Sequence, residues 1–153
     1  MNKSNNFGYA CVNMQLAYPK EYGTMNKSRI ISHRSMVKKT FLDKGLSYAS
    51  VLALKNCKDL FKIIKWNKNN NFNFFRISSD LFPWCSEYDL SDLPNYDEIK
   101  KVLSSIGHFV QENSIRITAH PGPFNVLTSP RISVVKNCIK DLSIHGETFD
   151  LMN

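Results

Sequence analysis

The feature that most constrains the fold is the order of hydrophobic periodicities along the chain: a short apolar run, then a long stripe with helical spacing, three times over. Phe7-Gly8-Tyr9-Ala10-Cys11-Val12, Phe72-Asn73-Phe74-Phe75-Arg76-Ile77 and Ile115-Arg116-Ile117-Thr118-Ala119 each have the length of a buried strand. Leu46, Ala49, Ala53, Cys57, Leu60, Phe61 and Ile64 step by three or four and predict one buried face of a helix from about Leu46 to Trp66. Asn67 to Asn71 ends it, because asparagine tolerates the left-handed conformation at a helix C-terminus. Ile99, Val102, Leu103, Ile106, Phe109 and Val110 predict a second helix after Pro94. A third carries Val134, Val135, Cys138, Ile139 and Leu142, and Ser129-Pro130 supplies an N-cap hydroxyl and a first-turn proline for its start. Strict alternation of strand and helix predicts an α/β chain, with parallel strands joined by crossovers and helices outside. In such folds the chemistry collects where the strands end, here after Val12, Ile77 and Ala119.

With 153 residues the chain is one domain, residues 1–153. Twenty Lys and Arg against 13 Asp and Glu leave a net charge of +7, which suits an anionic partner but also follows from a Lys- and Asn-rich composition. Position decides between the two. Lys55, Lys58, Lys62 and Lys65 lie opposite the apolar stripe and read as a solvated helix face, whereas Lys20, Lys27, Arg29, His33 and Arg34 gather in the loop after the first strand. Cys11, Cys57, Cys85 and Cys138 form no Cys-x-x-Cys knuckle and read as free, mostly buried thiols. No apolar stretch approaches the roughly 18 residues needed to span a bilayer, and the polar start lacks a signal-peptide core. The expectation is an intracellular protein, cytoplasmic or nuclear, that is neither membrane-bound nor secreted.

The predicted strand ends offer Asn13, then Ser79 and Asp80, then His120, with Tyr9 inside the first strand. A histidine that ends a parallel strand, before a Pro-Gly turn, can aim a neutral imidazole at a metal ion. His120 is therefore the leading candidate ligand; His33 and His145 follow, and His108, within a helix, comes last. The bland alternative for His120 is a surface or packed residue, and for Asp80 a cap on the following turn. No phosphate-binding glycine loop and no nucleophile elbow is present.

These strand-end strings resemble the UV-damage endonucleases, relatives of endonuclease IV built on a TIM barrel. Gly8-Tyr9-Ala10-Cys11-Val12-Asn13-Met14 is similar to the family's opening strand, and Phe41-Leu42-Asp43-Lys44-Gly45-Leu46 to the lead into its first long helix. Phe74-Phe75-Arg76-Ile77-Ser78-Ser79-Asp80-Leu81-Phe82-Pro83-Trp84 resembles the second strand and loop, continuing through Ser86-Glu87-Tyr88 and Asp92-Leu93-Pro94. His120-Pro121-Gly122, Val126-Leu127 and Ser129-Pro130-Arg131 resemble the third-strand signature.

The resemblance implies a metal-dependent DNA repair endonuclease that cuts the phosphodiester backbone of damaged double-stranded DNA 5′ to a UV photoproduct, starting excision repair. It implies divalent ions of the manganese or zinc type, with His120 as a metal ligand. Tyr9, Asn13 and Phe124 match positions near the lesion, and Lys27, Arg29, Arg34 and Arg131 are the expected phosphate contacts. Asp80 is the expected orienting group. Where the family places Gln and an aromatic after His-Pro-Gly, this chain has Pro123 and Phe124, so the aromatic wedge is kept and a side-chain hydrogen bond is lost. A complete barrel takes about 250 residues, so three strand-helix units predict a partial, unclosed barrel. The expected chain is truncated or split, incomplete alone, and completed by a separate C-terminal half or by self-association through its open edges. Two other functions fit these residues: a non-catalytic DNA-binding remnant that keeps the basic loop, and another metal-dependent TIM-barrel enzyme of the sugar-isomerase type.

Overall fold

A computed structural model describes residues 7–22, 28–123 and 125–153. Three parallel strands, β1 (Gly8–Ala10), β2 (Phe74–Ile77) and β3 (Arg116–Ala119), form one sheet in the order β1-β2-β3. Tyr9 registers with Phe75, which registers with Ile117. The helices are α1 (Met14–Ala17), α2 (Lys38–Asn69), α3 (Tyr96–Glu112) and α4 (Ile132–Asp150). The α/β class and the open parallel sheet agree with the sequence reading; the strands are each shorter than the apolar runs that predict them.

Side chains alternate across a strand, and the two faces of this sheet differ sharply. Phe75 and Ile77 are buried, and they pack with Ala49, Ala53, Cys57, Leu60 and Ile64 of α2 and with Ile99, Leu103 and Ile106 of α3. Phe74 is half-buried and Arg76 exposed on the opposite face. The helices thus cover one side of the sheet, as in the outer layer of a barrel. Lys55, Lys58, Lys62 and Lys65 are exposed, as expected of a solvated helix face, and Cys57, Cys85 and Cys138 are buried.

Several boundaries differ from the periodic reading. Helix α2 begins at Lys38, before the expected Leu46, and is interrupted at Gly45, whose φ of 61° belongs to the left-handed region that glycine enters without a Cβ clash. It ends at Asn69, and Asn71 takes a φ of 61°, the left-handed role expected of this asparagine run. The loop after β1 contains the short α1, capped by the Asn13 side chain, which accepts from the Leu16 N–H. The last helix starts at Ile132, not at Ser129-Pro130: Arg131 occupies the N-cap position, and the Ser129 hydroxyl accepts from the Arg131 N–H at 3.3 Å. Ile139 is 54% exposed, so the buried side of α4 runs through Cys138 and Ile144 instead.

The C-terminal residues lie against α3. A Cβ built on Gly107 would sit 1.5 Å from the Met152 carbonyl oxygen, and neither backbone can yield without moving an element. Gly107→Ala is therefore expected to lower unfolding free energy by about 3 kcal/mol, the upper part of the overpacking range, measured by urea denaturation.

Candidate functional site

The first group of strand-end residues sits between the entry to α2 and the turn after β2. Asn56 of α2 is fully buried, and its Nδ2 donates to the carbonyls of Arg34, Asp80 and Leu81 at 3.0, 3.1 and 3.1 Å. Its Oδ1 accepts from the Arg34 N–H at 2.9 Å. One carboxamide thus fixes the loop before α2 to the turn after β2. Arg34 is held further by an ion pair from Nη2 to Asp59 Oδ2 at 2.6 Å and by donation from Nη1 to the Ile31 carbonyl at 2.5 Å. Asp59 is also paired with Lys62 at 2.7 Å. The guanidinium of Arg34 therefore serves first as an internal tie.

His33 lies in the same loop, with a buried Nδ1 that has no hydrogen-bond partner. Its pKa is lowered by burial first and then by the charges of Arg29 and Arg34, against an opposing pull from Asp80. Asp80 is exposed, and its N–H donates to the Ser78 hydroxyl at 3.3 Å, the turn-capping geometry. Arg29 is exposed, with its guanidinium 5.0 Å from the centroid of the Tyr18 ring.

The second group forms around α4. His120 is exposed, and its N–H donates to the Ile77 carbonyl at 3.2 Å, extending the β2–β3 ladder by one residue. Asp141 of α4 accepts from Asn125 Nδ2 at 2.5 Å and from the Cys85 thiol at 3.2 Å. Burial, reinforced by that carboxylate, pushes the Cys85 thiol up to about 12, so it is a protonated donor and not a nucleophile. His145, one turn beyond Asp141, has its Nε2 3.8 Å from Asp141 Oδ2, too far for a hydrogen bond. That nitrogen is buried with no hydrogen-bond partner. Burial lowers the His145 pKa and the nearby His120 lowers it further, although Asp141 opposes. His145 also lines an enclosed pocket of about 10 Å³ with Ile77, Leu81, Cys85 and Ala119.

His120 thus lies near enough for its charge to act on His145, a residue that sequence order alone places second. A neutral imidazole with an unpartnered nitrogen is the form a divalent ion needs. Two imidazoles fit such an ion but do not complete its shell, which takes three or more protein donors. Among the described residues, no three His, Cys, Asp or Glu converge into a metal-holding group.

Tyr9 and Asn13 form a third, separate pair. The Tyr9 hydroxyl donates to Asn67 Oδ1 at 2.5 Å and accepts from Asn13 Nδ2 at 2.6 Å. The Tyr9 ring meets Phe72 and Phe75 edge-on. Both residues are joined to the end of α2, on the helix-covered side of the sheet. Burial raises the Tyr9 phenol to about 12. The stabilisation this reflects is complete below the ordinary value of 10 and is lost as pH rises through 12. Burial raises the Tyr88 phenol as well, so an ultraviolet titration of phenolate absorbance should show two tyrosines ionising late, and Tyr9→Phe should remove the earlier of these two steps. Arg131 is exposed at the start of α4, and Lys27 and Phe124 lie outside the described residues.

An open parallel α/β sheet with basic and imidazole groups at its strand ends defines part of a TIM-barrel protein. The UV-endonuclease UvdE family model matches residues 5–153, and the chain belongs to that family. It is 33% identical over 145 residues to the UV-damage endonuclease of Schizosaccharomyces pombe, a match covering 95% of this chain and 23% of that protein. It is 36% identical over 119 residues to the UV DNA damage endonuclease of Clostridium perfringens, covering 78% of this chain and 28% of that one. The crystal structure of SacUVDE matches with a TM-score of 0.67 and 31% identity, over 80% of this chain and 41% of that chain. The chain therefore spans about a quarter of the length of these two curated relatives. Among the described residues, no helix is long and apolar enough to cross a membrane.

Proposed function

We propose that this chain contributes the first three strand-helix units of a DNA repair endonuclease that cuts the backbone of UV-damaged double-stranded DNA 5′ to the lesion. The observation that carries the reading is the UvdE-family match over residues 5–153, with His120 following directly on β3 at the C-terminal end of the sheet. His120 and His145 would hold a divalent ion of the manganese or zinc type, with further donors supplied by strands outside this chain. Such an ion, when bound, activates a water and neutralises charge on the scissile phosphate. The chain's own residues divide the remaining work. Arg29 and Arg131, exposed on the loops after β1 and β3, would contact phosphate oxygens and set register on the duplex. Arg34, through Asp59 and Asn56, holds the basic loop against the turn that bears Asp80. Lys27 and Phe124 keep the phosphate and lesion roles that the family resemblance gives them. Tyr9 and Asn13 support that face through β1 and α1.

The test is reconstitution. The chain is mixed with the segment of the Clostridium perfringens endonuclease that follows the matched region, manganese is added, and nicking of UV-irradiated supercoiled plasmid is followed on gels. Nicking that needs both polypeptides, the metal and the irradiation is expected. Absence of nicking from a complex that demonstrably forms would reject the catalytic reading. Salt-sensitive DNA binding by that complex, unchanged by EDTA, would then favour a non-catalytic DNA-binding module.

A further inference from the structure

We propose that the sheet face carrying Arg76 and Arg116 binds additional parallel strands whose inward side chains are carboxylates, supplied by a polypeptide segment outside this chain. The proposal rests on the partial-barrel reading above and adds the chemistry of the contact.

Opposite the helix-covered side, the strands present two layers. Gly8, Phe74 and Arg116 are in register in one, and Ala10, Arg76 and Thr118 in the next. Both arginines are exposed. Among the described residues neither makes an ion pair, in contrast to Arg34. Arg116 only overlies the Phe74 ring, at 6.0 Å from its centroid. Between them, Thr118 Oγ1 is buried with no hydrogen-bond partner.

In a closed barrel this face is the packed interior. A guanidinium stays charged under all ordinary conditions, and a charge taken out of water needs an opposite charge beside it. Whatever covers the face must therefore bring carboxylates in two layers, one for each arginine.

The edges identify the covering element as strands. Among the described residues β1 and β3 each have a single neighbouring strand, so each presents an edge at which a further strand can pair. Beyond β1 lies a groove of about 330 Å³ lined by Tyr9, Val12, Trp66 and Phe72 among others. On α4, Ile132 and Ile139 are 73% and 54% exposed and lie two turns apart on one side. A second copy laid face to face would set arginine against arginine, which is repulsive. A nucleic-acid strand would satisfy the guanidiniums but leave both strand edges and both apolar flanks uncovered.

The experiment uses this chain and the same Clostridium perfringens segment, with assembly followed by light scattering and affinity by titration calorimetry. A one-to-one complex is expected. The Arg76→Glu/Arg116→Glu double variant, with an unchanged circular dichroism spectrum, should bind at least about 30-fold more weakly, as expected for a desolvated charge pair. Lys55→Glu, on the outer face of α2, should bind as the parent does. Equal binding by the arginine variant would overturn the charge pairing while leaving the partial-barrel reading intact. No complex with the unaltered chain would overturn both. A dimer of the chain alone that the arginine changes dissociate, or loss of duplex DNA binding without loss of the complex, would assign the face to a second copy or to nucleic acid and would equally refute the proposal.

Discussion

Asn56→Leu is expected to lower the stability of the chain by about 3 kcal/mol or more, although leucine has the same branched arrangement of side-chain heavy atoms as asparagine. The two N–H groups of the carboxamide reach three backbone carbonyls, one of them shared, and its oxygen accepts the Arg34 N–H in a fully buried position. Leucine leaves those backbone groups unpaired, and each buried group left so costs about 1–3 kcal/mol. Against a typical total of about 5–15 kcal/mol the loss is severe. Urea denaturation reads it directly. Amide exchange should separate this effect from general loosening: the Arg34 N–H, which donates to Asn56, should lose protection well before the Ala53 and Leu60 amides of the same helix. Uniform loss of protection along α2 would mean that Asn56 acts through helix packing and not as a tie between loops.

The second large effect concerns metal. In the reconstituted assembly, His120→Ala and His145→Ala are each expected to reduce manganese-dependent nicking by at least about 100-fold, since even partners one step removed from a metal typically cost about 10–100-fold. His108→Ala, exposed on α3 with its Nδ1 at 2.8 Å from the Ser104 carbonyl, should leave nicking unchanged. The readouts are nicking rate and manganese affinity, the latter followed by the spin-resonance signal of free manganese. Because burial and the neighbouring His120 lower the His145 pKa, this imidazole stays neutral somewhat below its ordinary 6.5. Metal binding through it should therefore persist into mildly acidic solution and fail only as pH drops through the lowered value. Unaltered nicking in either alanine variant would remove that residue from the site.

The periodic signals were informative where one physical cause dominates. Ala49, Ala53, Cys57, Leu60 and Ile64 recur at helical spacing because they face one sheet, and all five are buried. The open parallel sheet follows from strand and helix in alternation. Asn56, Asp59 and Asn67 were illegible for a related reason. They lie beside the apolar stripe at helical spacing and are buried, but a polar side chain in a helix reads as solvated unless its partners are known. Those partners, Arg34, Asp80 and Tyr9, come from distant segments. A polar residue that keeps step with an apolar stripe is the signal that would have exposed them.

The strand-end candidates divide in the same way. His120 was placed by a local rule, a histidine before Pro-Gly at the end of a strand. Its neighbour His145 depends on how α4 packs back over β3, which no spacing encodes. Ser129-Pro130 looked like a helix start because hydroxyl and proline suit those positions, yet the helix takes Arg131 as its cap two residues later. Tyr9 carries a lesion-face motif in sequence, while its hydroxyl is consumed by Asn13 and Asn67.

Asp141 links three pieces of chain that are far apart in sequence: Asn125 after the His-Pro-Gly turn, Cys85 after β2, and its own helix, one turn from His145. A shift of the turn that follows His120 would therefore drag α4, and His145 with it. One carboxylate is therefore the joint at which movement of that turn, of the segment after β2 and of the last helix would be felt together.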